Sequence, residues 1–389
     1  MGRHPQSSIL NPRRILVRGT NWLGDAVMTT PALLRLREKF PNAHIALLTP
    51  DKLRELWLHH PAVNETISFA PGESIFAIGK KLRAGKFDVG LVLPDSPRSA
   101  IETWLAGIPK RIGYTRPWRN FLLTQAIAPH AGSVKMRKRS VAEIKKLVAA
   151  TQSGAGFQPA SENKIAGKMP APLSIAHQIH EYLHLATALG ANPEPLAPQL
   201  FVSLEEIEAA KKKFGLDKIS NPIFGLNPGA EYGPAKRWPV EKFITAAREI
   251  QKRTNCVWVL FGGKNDRPLT AQIESAIRNP QSAIFNLAGK TCVGELRALL
   301  KVCRVLLTND TGPMHVAAAL GTPVVVPFGS TSPELTGPGL PGDPRHRLLK
   351  SDAPCSPCFL RECPIDFRCM NGISVERVVE AVKSVTASH

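Results

Sequence analysis

Aromatic residues make up only 6% of this 389-residue chain, three tyrosines among them. So few stacking platforms argue against a protein built to bind single-stranded nucleic acid. No run of residues approaches the ~18–20 apolar positions needed to span a bilayer. The opening stretch from Met1 to Pro12 is polar and basic, with no apolar segment behind it to act as a secretory signal. The expected location is therefore the cytoplasm. Acidic residues are scarce: 31 Asp and Glu stand against 50 Lys and Arg, a formal charge of +19. That excess fits an anionic partner, whether nucleic acid, acidic lipid or a phosphorylated substrate, and it equally fits a plain solubility bias. Cysteine numbers seven, an odd count with four crowded near the C-terminus, which is no secreted disulfide framework.

What remains is globular: 43% hydrophobic and 21% charged residues, in a length that suits two domains. Strand-like Arg14 to Arg18 leads through a glycine-bearing loop, Gly19 to Asp25, into a helical period from Ala26 to Phe40 and a strand from His44. The alternation continues through a helix at Asp51 to His59, strand Thr66 to Phe69, helix Ile75 to Ala84, strand Phe87 to Leu93, helix Ser99 to Ala106 and strand Lys110 to Tyr114. Such alternation predicts a parallel sheet covered by helices. The segment 151–172 is rich in Gly, Ala, Pro and Ser without an apolar period and reads as a disordered insertion. A second alternating series starts at Ile223. The expected plan is α/β, with an N-terminal domain over 1–190, a linker at 191–198, a second doubly wound domain over 199–372 and a closing helix in 373–389 at the domain junction.

Three segments carry candidate chemistry. Gly19-Thr20-Asn21-Trp22-Leu23-Gly24-Asp25 lies between the first strand and first helix, where backbone amides favour an anion. Asp25 there is either a helix cap or a catalytic base. The loop has neither the GxGxxG spacing of dinucleotide binders nor the Gly-Lys-Ser/Thr ending of a P-loop. The second segment runs from Asn227 through Gly229 to Lys236-Arg237-Trp238-Pro239. Its paired cations before a helix can neutralise a departing diphosphate, or can simply be a solvated basic loop. The third, Asn309-Asp310-Thr311-Gly312-Pro313-Met314-His315, ends a buried strand and opens a helix. Amides at Thr311 and Gly312 would face an anion, and Asp310 would accept from sugar hydroxyls. His315 would reach a phosphate or serve structurally. Gly263 and Asp266 follow another buried strand, as a nucleoside wall or as a turn and cap.

Taken in this order, the Gly-Thr-Asn-Trp-Leu-Gly-Asp, Asn-Pro-Gly-Ala … Lys-Arg-Trp-Pro and Asn-Asp-Thr-Gly-Pro-Met-His segments resemble those of the family 9 glycosyltransferases, and within that family the lipopolysaccharide heptosyltransferase II branch. The resemblance spans nearly the whole chain outside 151–172. It implies a GT-B fold, two Rossmann-like domains facing an interdomain cleft. It implies ADP-L-glycero-D-manno-heptose as donor, a heptosylated Kdo–lipid A core as acceptor, and inversion at the anomeric carbon. The family's catalytic base falls on Asp25 and its donor-phosphate lysine on Lys236. Donor contacts fall on Asn227, Gly229, Arg237, Gly263, Asp266, Asp310, Thr311, Gly312 and His315. Acceptor contacts are expected at Asn21, Trp22 and Gly24, and at Arg137 and Lys138 within the basic run Lys135 to Arg139, unless that run is only a solvated face. No catalytic metal or cofactor is implied. A monomer in peripheral contact with the cytoplasmic face of the inner membrane is expected, with no specific nucleic acid.

Cys355, Cys358, Cys363 and Cys369 are spaced Cys-x2-Cys-x4-Cys-x5-Cys. Structural zinc, an iron–sulfur cluster and unligated thiols are all compatible with that spacing, which does not match a standard zinc ribbon. Three functional alternatives accompany the main reading. They are a type I or III heptosyltransferase or other member of the family, a GT-B sugar-nucleotide epimerase, and a non-enzymatic binder of anions.

Overall fold

The computed structural model describes residues 11–152, 176–278 and 283–387. They form two compact units, each an α/β assembly on a six-stranded parallel sheet. The insertion expected at 151–172 lies, from residue 153 on, outside the described residues.

The first unit holds residues 11–131 and Ile179–Leu196. Its strands are β1 (Arg14–Arg18), β2 (His44–Pro50), β3 (Glu65–Phe69), β4 (Val89–Val92), β5 (Lys110–Tyr114) and β6 (Gln125–Ile127), in the spatial order β3-β2-β1-β4-β5-β6. Ile15, Leu16 and Val17 of β1 are fully buried, as expected of a central parallel strand covered on both faces. The flanking helices start where their sequences dictate. Ser74 accepts a hydrogen bond from the Phe76 amide to open Ile75–Arg83, and Ser96 with Pro97 opens Pro97–Leu105. Their apolar faces, Ile78 and Leu82 among them, pack with Leu16, Ala46, Leu48 and Phe87.

The second unit holds 132–152, 176–178, 197–278 and 283–387. Its strands are β7 (Ile223–Asn227), β8 (Val257–Leu260), β9 (Ile284–Asn286), β10 (Val305–Thr308), β11 (Val324–Pro327) and β12 (Arg347–Leu349), in the order β12-β11-β10-β7-β8-β9. The final helix, Val375–Thr386, buries Val378, Val379, Val382 and Val385 in this unit's core beside Phe243, Trp258 and Val305.

Several expectations are corrected. Residues 1–190 are not one unit. The helix Val141–Gln152 belongs to the second, because Ile144 and Val148 pack on Cys355 and Cys358. The closing helix is an integral layer of the second unit rather than a separate element. The segment Asp51–Trp57 is 3-10 rather than α-helical. Its buried Leu53 and Leu56 recur at the three-residue spacing of that helix. The helix expected from Ala26 begins at Leu23 and breaks at Thr29 before resuming as Thr30–Lys39.

Candidate functional site

In both sheets the chain runs outward in opposite directions from one pair of neighbouring strands, β1 and β4 in the first, β7 and β10 in the second. Ligands of open parallel sheets sit beyond the carboxyl ends of the strands at such a reversal. All three sequence motifs leave strands of these pairs: Gly19 to Asp25 follows β1, Pro228 to Trp238 follows β7, and Asn309 to His315 follows β10.

In the first unit the loop is braced from beneath. The Arg18 guanidinium, 2% exposed, donates from Nε to Glu102 Oε2 at 2.8 Å, and from one terminal nitrogen to the Gly19 carbonyl and to Asn21 Oδ1 at 2.9 Å. Burial pulls the Arg18 pKa down, and Glu102 opposes that shift. Asn21 is thus held by its side chain rather than presented freely. Trp22 occupies the N-cap position, is 48% exposed and carries Lys52 Nζ 5.4 Å from its ring centroid. Gly24 and Asp25 are the second and third residues of Leu23–Met28, so Asp25 lies in the first turn and is not the cap. A carboxylate there is favoured by the positive end of the helix.

In the second unit the loops interlock. Asn227, 2% exposed, donates to Thr308 Oγ1 at 3.0 Å and ties β7 to β10. Fully buried Asn309 donates to the Pro228 carbonyl at 2.7 Å and accepts from the Trp238 amide at 2.9 Å. It thereby locks the segment that presents Lys236. Lys236 Nζ donates to Asp310 Oδ2 at 2.6 Å, and Thr331 Oγ1 donates to the same oxygen at 2.5 Å. Thr311 is the N-cap of Gly312–Ala319 and uses no side-chain cap, which leaves that role to backbone groups. His315 is buried one turn along. Burial holds its pKa down at about 4 against the pull of Asp310, so at neutral pH it is an uncharged imidazole and adds no cation.

Arg237, Gly263, Asp266 and Gly229 form a second knot. Asp266 Oδ2 accepts from the Gly263 amide at 2.9 Å, and Oδ1 faces Arg237 at 3.4 Å. A Cβ on Gly229 would overlap the Asp266 carboxylate, so glycine is required there by close approach rather than by dihedral angle. Of the two readings of Asp266, its contacts favour the turn-closing one.

The basic run falls in the second unit. Arg137 is spoken for, its guanidinium paired with both oxygens of Glu143 at 2.5 and 3.1 Å. Glu143 is held in turn by the Ser140 amide at the start of Val141–Gln152. Arg139 donates its amide to the Cys358 carbonyl at 3.0 Å, while Lys135 and Lys138 are exposed. The expectation that this run lines the first domain is corrected by the packing of the helix that follows it. At the cysteines, no group of three or more His, Cys, Asp or Glu side chains among the described residues is arranged to hold a metal ion. Burial raises the Cys355 and Cys369 pKa values, the latter to about 12, and the neighbouring thiols add to the effect.

Sequence reasoning missed Thr331 and Glu102, and gave Asn309 no role of its own within the third segment. A signal for the first existed: Ser330-Thr331-Ser332 is a polar run just beyond the carboxyl end of the buried strand β11. Glu102 lies 84 residues from Arg18, and no local pattern links them.

The model of glycosyltransferase family 9 (heptosyltransferase) matches residues 75–164 and 148–367. The chain belongs to that family. Lipopolysaccharide heptosyltransferase 2 of Escherichia coli K12 is 32% identical over 339 residues, 84% of this chain and 85% of the relative. The solved structure of E. coli ADP-heptose lipopolysaccharide heptosyltransferase II aligns with a TM-score of 0.73 and 28% identity, over 96% of this chain and 99% of that one. A family 9 glycosyltransferase of Veillonella parvula, 21% identical, shares the fold at a TM-score of 0.75, covering 98% and 99%. This member of family 9 is thus a glycosyltransferase by descent, and the loops at the two strand reversals are where its chemistry is to be sought.

Proposed function

We propose that this family 9 enzyme transfers L-glycero-D-manno-heptose from ADP-heptose to the heptosyl-Kdo–lipid A inner core of lipopolysaccharide, with inversion. The observation that carries the reading is Lys236, held by buried Asp310 at the strand reversal of the second sheet, next to the first turn of Gly312–Ala319. A fixed cation beside helix amides is suited to a diphosphate leaving group without reorganisation. In the step we propose, the acceptor hydroxyl oxygen bonds to the anomeric carbon and its proton passes to the Asp25 carboxylate. The bond from that carbon to the β-phosphate oxygen breaks on the opposite face, and its electron pair leaves with ADP. We propose that side chains and amides supply the charge compensation in this step, without a metal or cofactor, and that the four late cysteines remain thiols.

We place the enzyme in the cytoplasm as a monomer, meeting its lipid-linked acceptor peripherally at the inner membrane. No helix among the described residues is long and apolar enough to cross a membrane. A peripheral contact is supported by the loop after β5, where Trp118 and Phe121 are 85% and 77% exposed beside Arg116. Aromatic side chains with neighbouring cations suit a bilayer interface.

The test is ADP release from ADP-heptose, with and without a Kdo–lipid A acceptor bearing one heptose, for the wild type and Asp25→Asn. Release that needs the acceptor and falls by about 10²–10⁴-fold in the variant, with ADP-heptose still bound, is expected for loss of a general base. Full activity in Asp25→Asn would remove it from that role. Conversion of ADP-heptose to another sugar nucleotide without acceptor and without net ADP release would point to an epimerase.

A further inference from the structure

The Cys-rich segment 355–369 is the one sequence motif to which the proposed chemistry gives no part. Its contacts are not those of an appendage. The amides of Cys358 and Phe359 both donate to the Ser330 carbonyl, at 3.1 and 2.7 Å, and Ser356 Oγ donates to the Gly329 carbonyl at 2.7 Å. These bonds grip the loop that bears Thr331. On its other side the segment grips the lysine loop. Tyr232 donates its hydroxyl proton to the Phe359 carbonyl at 2.9 Å, and the Ala235 amide donates to the Arg361 carbonyl at 2.9 Å. Gly233 fits there only because a Cβ would collide with the Arg361 backbone.

This clamp also brings one side chain against the lysine loop. The Arg361 guanidinium carbon lies 5.2 Å from the centroid of the Tyr232 ring, and Lys236 Nζ lies 5.2 Å from the same centroid. The two cations therefore share one aromatic ring whose hydroxyl is pinned. Their charge environments differ. Lys236 is paired with Asp310, and Arg237 faces Asp266. Each of those pairs sums to zero charge. Arg361 has no carboxylate partner among the described residues and is exposed. A diphosphate brings net negative charge that two neutral pairs do not compensate, and guanidinium is the group best shaped to hold phosphate oxygens in pairs.

We infer that Arg361, presented on the Tyr232 ring by the Cys-rich segment, is a binding residue for the donor's diphosphate. The inference rests on the donor reading of the Lys236 site. It gives the Cys-rich segment its role: a scaffold that sets a cation without a carboxylate partner among the described residues against the same ring as Lys236, held there by backbone bonds and thiol packing.

Calorimetric titration of the full chain with ADP and with adenosine, which has no phosphate, tests it in wild type, Arg361→Ala and Arg361→Lys. The bond between the Arg361 carbonyl and Ala235 involves only backbone and survives both substitutions. Arg361→Ala is expected to weaken ADP binding by about tenfold or more, as the loss of a charge-assisted hydrogen bond would. Adenosine affinity should stay within about twofold, and Arg361→Lys should recover part of the loss by restoring a point charge without the fork. Unchanged ADP affinity in Arg361→Ala, or equal losses for ADP and adenosine, would overturn the assignment, the second outcome making Arg361 structural. A wild type that binds adenosine but gains nothing from the phosphates would overturn the donor reading itself, and Arg361 with it.

Discussion

The loops at the two strand reversals contrast sharply in how they are held. Beyond β7 and β10, Asn227, Asn309 and Asp310 are 2%, 0% and 4% exposed, and their side chains hydrogen-bond from loop to loop. Beyond β1, Asn21 and Trp22 face solvent, and the bracing lies underneath, in the buried Arg18–Glu102 pair. One topology thus supports two kinds of site. The second-unit loops are preorganised, as a fixed nucleotide and diphosphate would require. The first-unit loop puts a half-buried carboxylate at the edge of an open surface, which suits an acceptor larger than the loop itself.

The largest effect expected from breaking this contrast comes from Lys236→Met. Removing one partner of a buried ion pair leaves Asp310 charged and uncompensated. That should cost on the order of 3–5 kcal/mol of stability in chemical unfolding, with ADP binding lost as well. The double variant Lys236→Met/Asp310→Asn should recover stability, since no buried charge is left alone, yet should not recover ADP binding. If Lys236→Met unfolds like the wild type, the second-unit loops are not preorganised and the contrast fails.

Gly229→Ala comes next. A methyl group there must displace the Asp266 carboxylate, which holds the Gly263 amide and faces Arg237. Overpacking of this kind costs about 1–3 kcal/mol, read as a lowered unfolding midpoint, together with weakened ADP binding. An unchanged midpoint would show that the knot yields easily, making the second site more like the first.

How much of this was legible follows from the range of each interaction. Strand β1 and the helices with strong apolar periods, such as Val240–Thr254 and Val293–Val302, are written in local sequence. The edge strands β6 and β12, three residues each, are too short for alternation to show. Helix Leu204–Lys213 announced itself by a capping box, Ser203 with Glu206, which the alternation of strands and helices overshadowed. At the site, the motif residues were legible but their partners were not. Lys236 and Asp310 were both singled out, yet that they neutralise each other depends on β7 and β10 lying side by side. Asp310 was expected to face sugar hydroxyls, and one of its oxygens is instead committed to Lys236 and Thr331. The placement of Val141–Gln152 was likewise unreadable, because Ile144 and Val148 meet cysteines more than 200 residues on.

The smallest effect sharpens the contrast on the acceptor side. Arg137 and Lys138 are adjacent, both cationic and both exposed, but of the two only Arg137 has a carboxylate partner among the described residues. Exposed pairs of this kind contribute little to stability, so Arg137→Ala should leave the unfolding midpoint within the scatter of measurement. It should also leave the KM for the acceptor nearly unchanged, because that cation is already satisfied by Glu143. Lys138→Ala removes a charge with no carboxylate partner among the described residues. If the basic run meets the phosphates and carboxylates of the lipid core, this variant should raise the acceptor KM at low salt and lose the effect as salt screens it. Equal responses from the two variants would mean that pairing within the fold does not decide which cation is available. Silence from both would make the run a solvated face and leave acceptor recognition to the open loop beyond β1.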